Sequence, residues 1–269
     1  MPCISRRIFL GFIPVTGYDI LRCIKMMNGK YHLCNAFGIP IHVDFSFVFL
    51  LVIFTLRGGS FTLGIAEAMV LAISVILHEL GHSLTARAFG YHTTDITISL
   101  LGGCASMIAL PRKAIQEFLT AIAGPLVSFA IAGLSLFVLM FVPIRNDWLH
   151  YVVLFACYSN AMLGVFNLLP GFPMDGGRIF RSFMRAFMSR EKATYIAMIV
   201  GRGFAILLAL RGVHSIVTGG GWGIVTLLIA WMIWQEGWRE YQMARADERF
   251  RSWSQGDFNA RVSPPPYDL

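Results

Sequence analysis

A chain of 269 residues in which 56% are hydrophobic and only 14% are charged is not built for water alone, since soluble domains carry about a quarter charged residues. Apolar runs of membrane-spanning length recur along it and leave little room for a separate soluble domain. The net charge of +7 follows from where lysine and arginine sit relative to those runs, together with attraction to anionic lipid, so nucleic-acid binding is not expected.

In chain order, residues 1–40 read as an N-terminal cytoplasmic segment. Arg6 and Arg7 precede IFLGFIPV, a signal-peptide outline without a small-residue cleavage site. Residues 41–236 form one membrane domain of about six spans, at roughly 41–57, 61–89, 115–142, 148–169, 193–211 and 219–236. Gly58-Gly59, Pro143, the stretch from Pro170 to Pro173 and Gly219 to Gly221 fall where turns are needed. Between the second and third spans, YHTTDITISLLGGCASMIALP is rich in β-branched residues on both sides of Gly102-Gly103 and predicts a small β-hairpin. After Glu236 the chain turns polar and ends in SPPPYDL, so 237–269 reads as a disordered tail. The fold class is therefore an all-α polytopic membrane protein with a small β-hairpin.

Basic residues orient this topology. With the N-terminus in the cytoplasm, that side collects Arg6, Arg7, Lys25, Arg87, the basic residues between 178 and 192 and the arginines after Glu236. The opposite side holds only Arg57, Arg145 and Arg211. Both termini are then cytoplasmic, and the membrane is read as the cell membrane of a prokaryote. Cys3, Cys23, Cys34, Cys104 and Cys157 are scattered and odd in number, which suggests neither a disulfide framework nor a thiolate metal site.

Chemistry concentrates in the second span, ISVILHELGHSLTARAF, where two histidines and a glutamate interrupt an apolar helix. Each costs free energy inside a membrane unless paired, ligated or hydrated. His78 and His82, at i and i+4, lie on one helix face and can direct imidazole nitrogens at one metal ion. Glu79 projects beside them, placed to take a proton from water. Counting from Arg87 puts His82 about 8 Å and His78 about 14 Å below the cytoplasmic surface.

A catalytic zinc site takes three protein ligands and keeps a position open. Glu67 is eleven residues from His78, about 16 Å along the axis, and is out of reach. His42 and Asp44, at the start of the first span, are candidates for the third ligand. Asp175 is better placed, because it follows FNLLPGFPM, whose prolines and glycine force irregular backbone that is tolerated at membrane depth only beside a wet cavity or within protein. Asn167 is expected to face that cavity and donate to a substrate carbonyl, or else to cap its own helix.

HELGH at 78–82 followed by NLLPGFPMDGG at 167–177 resembles the site-2 protease family of intramembrane zinc metalloproteases, with Gly124-Pro125 and the glycine-centred hairpin as further points of likeness. The resemblance implies His78, His82 and Asp175 as ligands of one zinc ion, Glu79 as the proton carrier of peptide hydrolysis, and Asn167 beside the oxyanion. It implies membrane-protein substrates cleaved within or at the edge of the bilayer, with the hairpin as an edge strand that pairs with unwound substrate. Ser128 stands where many members carry asparagine and is assigned no role. Little chain follows the last span, so an appended regulatory domain is not expected. Two other readings stand beside this one. A prenyl-protein-type membrane zincin would take its third ligand from a glutamate such as Glu117 or Glu236. A metal-ion transporter would need polar groups along a path, for which Glu67, Asn160 and Arg202 are the few candidates.

Overall fold

The computed structural model describes residues 30–57, 60–99, 102–107, 111, 113–219, 221 and 223–256; the IFLGFIPV stretch and the SPPPYDL end lie outside them. Two strands open this part, β1 (Tyr31–Ala36) and β2 (Ile39–Val43), joined at Phe37 and Gly38 with φ of 53° and 79°. Positive φ at both central residues matches the right-handed strand twist of a tight hairpin. The first expected span, from 41, therefore begins as a strand. Asp44 then turns the chain: its backbone N–H donates to Ile98 O (2.8 Å) and its side chain accepts from the Ser46 N–H (2.8 Å). Helix α1 (Phe47–Arg57) follows, eleven apolar-rich residues covering about 16 Å.

Among the described residues, four helices are long and apolar enough to cross a membrane: α2 (Phe61–Ala88), α3 (Ala114–Phe141), α4 (Asp147–Asn167) and α6 (Arg190–Val217). At 28 residues, α2 runs about 42 Å, more than the roughly 30 Å hydrocarbon core. Local signals set the ends of α4 and α6, since Asn146 Oδ1 accepts from Leu149 N (3.0 Å) and Ser189 Oγ from Lys192 N (3.4 Å). Between α4 and α6 lies the short α5 (Asp175–Met184).

The last helix, α7 (Gly223–Gly256), contains most of the expected sixth span but does not stop at Glu236. Residues 237–256, expected to be part of a disordered tail, are helical. Tertiary contact explains the difference. α7 packs along α6, Ala244 is buried, and Glu240 and Asp247 meet arginines of α5 and α6.

β3 (Thr93–Ser99) and β4 (Gly102–Met107) form the expected hairpin, with Ser99 paired to Gly102, so the two glycines open the second strand. The sheet is larger than expected. β2 runs parallel to β3, giving the order β1-β2-β3-β4 with β4 at an edge. Its inner face, carrying the buried residues Ile39, Ile41, Ile96 and Ile98, sits on α2 through Leu80. Burying each such side chain stabilises by about 1.5–3 kcal/mol. Leu80 is the middle residue of HELGH, so this packing fixes the rotation of α2 just where the histidines emerge.

Candidate metal centre

With Leu80 turned to the sheet, His78 and His82 turn to α3. Their rings lie 4.8 Å apart between centroids and at 81°. His82 Nδ1 donates to the Thr120 carbonyl (2.7 Å), and His78 Nδ1 meets Ser128 Oγ (2.9 Å). Both partners belong to α3, eight residues and so about two turns apart, which brackets the histidine pair from one side. Such close approach requires glycine at 124. A Cβ there would lie 2.2 Å from His82 Nε2 and 2.8 Å from His78 Nε2.

Asp175 arrives from the other side, in the first turn of α5, where the helix N-terminus favours a carboxylate. The loop before it is locked by buried Phe172 and by the tight seat of Gly176, where a Cβ would come within 2.2 Å of Leu169 O. The result is convergence. Asp175 Oδ2 lies 3.1 Å from His78 Nε2 and 3.0 Å from His82 Nε2, and the two Nε2 atoms are 3.2 Å apart. The three side chains are 3%, 4% and 7% exposed respectively as whole residues.

This donor set fits a zinc ion on two counts. His82 Nδ1 carries the proton that Thr120 O accepts, so in the neutral ring Nε2 presents a lone pair. Ser128 can hold His78 the same way. Lone pairs of two imidazoles and a carboxylate then face one another at hydrogen-bond distance, an arrangement that needs a cation or proton between them. Their separations of 3.0–3.2 Å also approach the edge of a tetrahedron, about 3.3 Å, for zinc bonds of about 2.0–2.1 Å.

Glu79 is half-buried beside this group and lies against the sheet. A Cβ on Gly103 of β4 would come within 2.6 Å of Glu79 Cγ, so the β4 backbone passes directly over that side chain. Asn167, the last residue of α4, gives one amide hydrogen to Leu163 O (2.9 Å) and is half-buried.

The other sequence candidates are engaged elsewhere. Asp44 caps the turn before α1, and the His42 ring lies 5.5 Å from that of His32 within the sheet. Glu67 is buried and accepts from the Tyr151 hydroxyl. Glu117 is ion-paired with Arg181 and with Arg185 (2.7 Å), and Glu236 with Arg239 (2.6 Å). Neither glutamate joins the histidines, and the prenyl-protein-type reading loses its third ligand among the described residues.

Ser128 and the Thr120 carbonyl were not legible as site groups. Their 2.9 and 2.7 Å contacts fix the imidazole orientations, a role metal-binding histidines commonly require of a neighbour. Only their spacing about Gly124-Pro125 on α3 hinted at it.

A second buried cluster braces α5. Arg181, 1% exposed, donates from Nε to Glu117 Oε1 (2.7 Å) and from Nη1 to Glu240 Oε2 (2.8 Å). It joins the start of α3, the helix bearing Asp175, and the polar half of α7. Burial pushes the Glu240 carboxyl up, but Arg181 and Arg178 outweigh it and hold the group below its ordinary value.

The sequence profile of peptidase family M50 matches residues 66–145 and 143–210, which takes in both motifs between them. A zinc metalloprotease of Methanocaldococcus jannaschii is 34% identical over 229 residues, covering 84% of this chain and 65% of its own. A candidate zinc metalloprotease of Synechocystis is 32% identical over 258 residues, covering 89% of this chain and 67% of its own. The chain thus spans about two thirds of the length of these relatives. Among solved structures, the site-2 protease from Methanocaldococcus jannaschii superposes with a TM-score of 0.59 at 33% identity, over 79% of this chain and 95% of that one. Agreement of profile, sequence and fold over the region that builds the cluster makes the chain a member of peptidase family M50, the site-2 protease family.

Proposed function

We propose that this chain is an intramembrane zinc metalloprotease that hydrolyses peptide bonds of membrane-embedded or juxtamembrane protein segments. The observation that carries the reading is the meeting of His78 Nε2, His82 Nε2 and Asp175 Oδ2, from α2 and α5, in one buried cluster. These three atoms would hold one zinc ion, which when bound acidifies water and polarises a carbonyl. Glu79, next in sequence to His78, takes the proton of the attacking water and delivers it to the leaving amine. Asn167 has a second amide hydrogen beyond the one given to Leu163 O, and offers it to the oxygen of the scissile carbonyl.

A substrate helix hides its peptide groups in its own hydrogen bonds and must unwind before it can be cut. β4 supplies replacements, since it is an edge strand of the sheet and its Gly103 abuts Glu79. An extended substrate paired to β4 would run past the carboxylate that handles the proton. The crowding of basic residues between 178 and 192 and after Glu236 supports six passes, completed by α1 and the apolar half of α7, with both termini in the cytoplasm of a prokaryotic cell. Substrates are then membrane proteins reached within the bilayer.

Co-expression with single-span candidate substrates tests the proposal. Glu79→Gln is expected to lower cleavage at least about a hundredfold while purified protein keeps its zinc. Cleavage that survives this substitution overturns the mechanism.

A further inference from the structure

Away from the metal centre, α6 and α7 enclose a groove of about 380 Å³ between Ala205 and Ala209 on one side and Leu227, Ala230, Trp231 and Trp234 on the other. Ala205 and Ala209, one turn apart on α6, face Leu227, Trp231 and Trp234, with Ile206 and Ala230 also in the lining, and leave a channel along the pair. One turn from Ala205, on the same face of α6, stands Arg202. Its guanidinium lies 4.5 Å from the Trp234 ring centroid and 5.3 Å from that of Trp238. Trp231, Trp234 and Trp238 are 46%, 41% and 39% exposed, a row of amphipathic rings at the level where α7 passes from apolar to charged sequence.

Among the described residues this arginine has no acid partner. Among them it makes no hydrogen bond or ion pair, and its Nε is buried without an acceptor. Glu236, between the two stacking tryptophans in sequence, is engaged with Arg239 at 2.6 Å. Its contacts with Trp234 and Trp238 set the guanidinium at the level where α7 turns polar, and planar N–H pairs match phosphate oxygens. Arg202 carries the complementary charge at one end of an apolar channel.

We infer that this groove binds one anionic phospholipid, with an acyl chain between α6 and α7 and the phosphate on Arg202, in the leaflet on the side of α5 and the polar half of α7. Stacking on two tryptophans holds the guanidinium flat and leaves its edge for the headgroup. The apolar rim, including the exposed Ile206, Leu210 and Leu228, suits a lipid tail.

Native mass spectrometry of the full chain, released from micelles holding equal amounts of phosphatidylglycerol and phosphatidylcholine, tests this. Both lipids offer the phosphate, but choline's cation offsets it in the second, so the wild type is expected to retain phosphatidylglycerol over phosphatidylcholine by about tenfold. Arg202→Gln removes that preference, Arg202→Lys keeps part of it, and Ala209→Leu, which narrows the channel, lowers retention of both lipids. Melting curves in the same detergent identify a misfolded variant, and the remaining variants then decide. Unchanged phosphatidylglycerol retention in the folded variants overturns the proposal. Displacement by glycerol phosphate alone overturns it too, since no tail would then be held, as does a dimer that Ala209→Leu splits, which would assign the face to a second copy.

Discussion

Two buried polar clusters lie within one short helix of each other, and they differ in completeness. At the C-terminal side of α5, Arg181 and Arg185 face Glu117 and Glu240, two cations against two anions joined by direct contacts. At its N-terminal end, Asp175 faces two imidazoles whose outer nitrogens are already committed to Ser128 and Thr120. The first cluster satisfies itself and so can only hold structure together. The second turns the lone pairs of two imidazoles and a carboxylate on one another, and that donor set is what fits it to a metal ion. Burial and perturbed environment alone would have flagged both; counting the charges separates them.

The sharpest way to break the comparison is to change a member of the incomplete cluster. Asp175→Ala is expected to leave purified protein without bound metal, measured by elemental analysis, and to cost more activity than the roughly 100-fold ceiling usual for outer partners. Metal retained at full stoichiometry would remove Asp175 from the site. In the complete cluster, Arg181→Met strands Glu240 and leaves Glu117 with Arg185 alone. Breaking a buried pair costs about 3–5 kcal/mol, so thermal unfolding in detergent should shift strongly downward while the folded fraction still binds one metal.

Ser128→Ala makes a finer cut. Freed of its partner, His78 loses its fixed orientation, and metal affinity in chelator competition is expected to fall about tenfold with little change in melting temperature. Equal affinity in the variant would make the 2.9 Å contact incidental. The smallest effect is set by pH. Because the folded protein holds Glu240 below its ordinary value of 4.5, the stability it contributes is complete above about pH 4.5 and is lost as pH falls through the lower folded value. Unfolding followed from pH 6 to pH 3 should show this loss in the wild type and a flatter slope in Glu240→Gln.

How much of this was legible varies with the range of the interaction. HELGH states its own geometry, because i and i+4 share a face on any helix. The β1–β2 hairpin was legible in principle from Phe37-Gly38, but only Asp44 separates IPIHV from FSFVFLL, and the apolar residues on both sides of it read as one span. For residues 237–256 the absence of proline and the run of helix formers in EYQMARADERF were signals of helix. Their polarity masked them, since Glu240 and Asp247 find arginine partners only when α5 and α6 are beside them.

By itself the sequence determined the solvent, the histidine pair with its adjacent glutamate, and an irregular loop ending in Asp175, because each depends on composition or on contacts within a few residues. Tertiary structure decided that Asp175, 97 residues from His78, closes the cluster, that Gly124 lets α3 approach the imidazoles, and that Ser128 and Thr120 aim them. Those choices depend on the rotation of α2 against the sheet and on the seating of α5. Packing between distant segments sets both, and no local pattern encodes it.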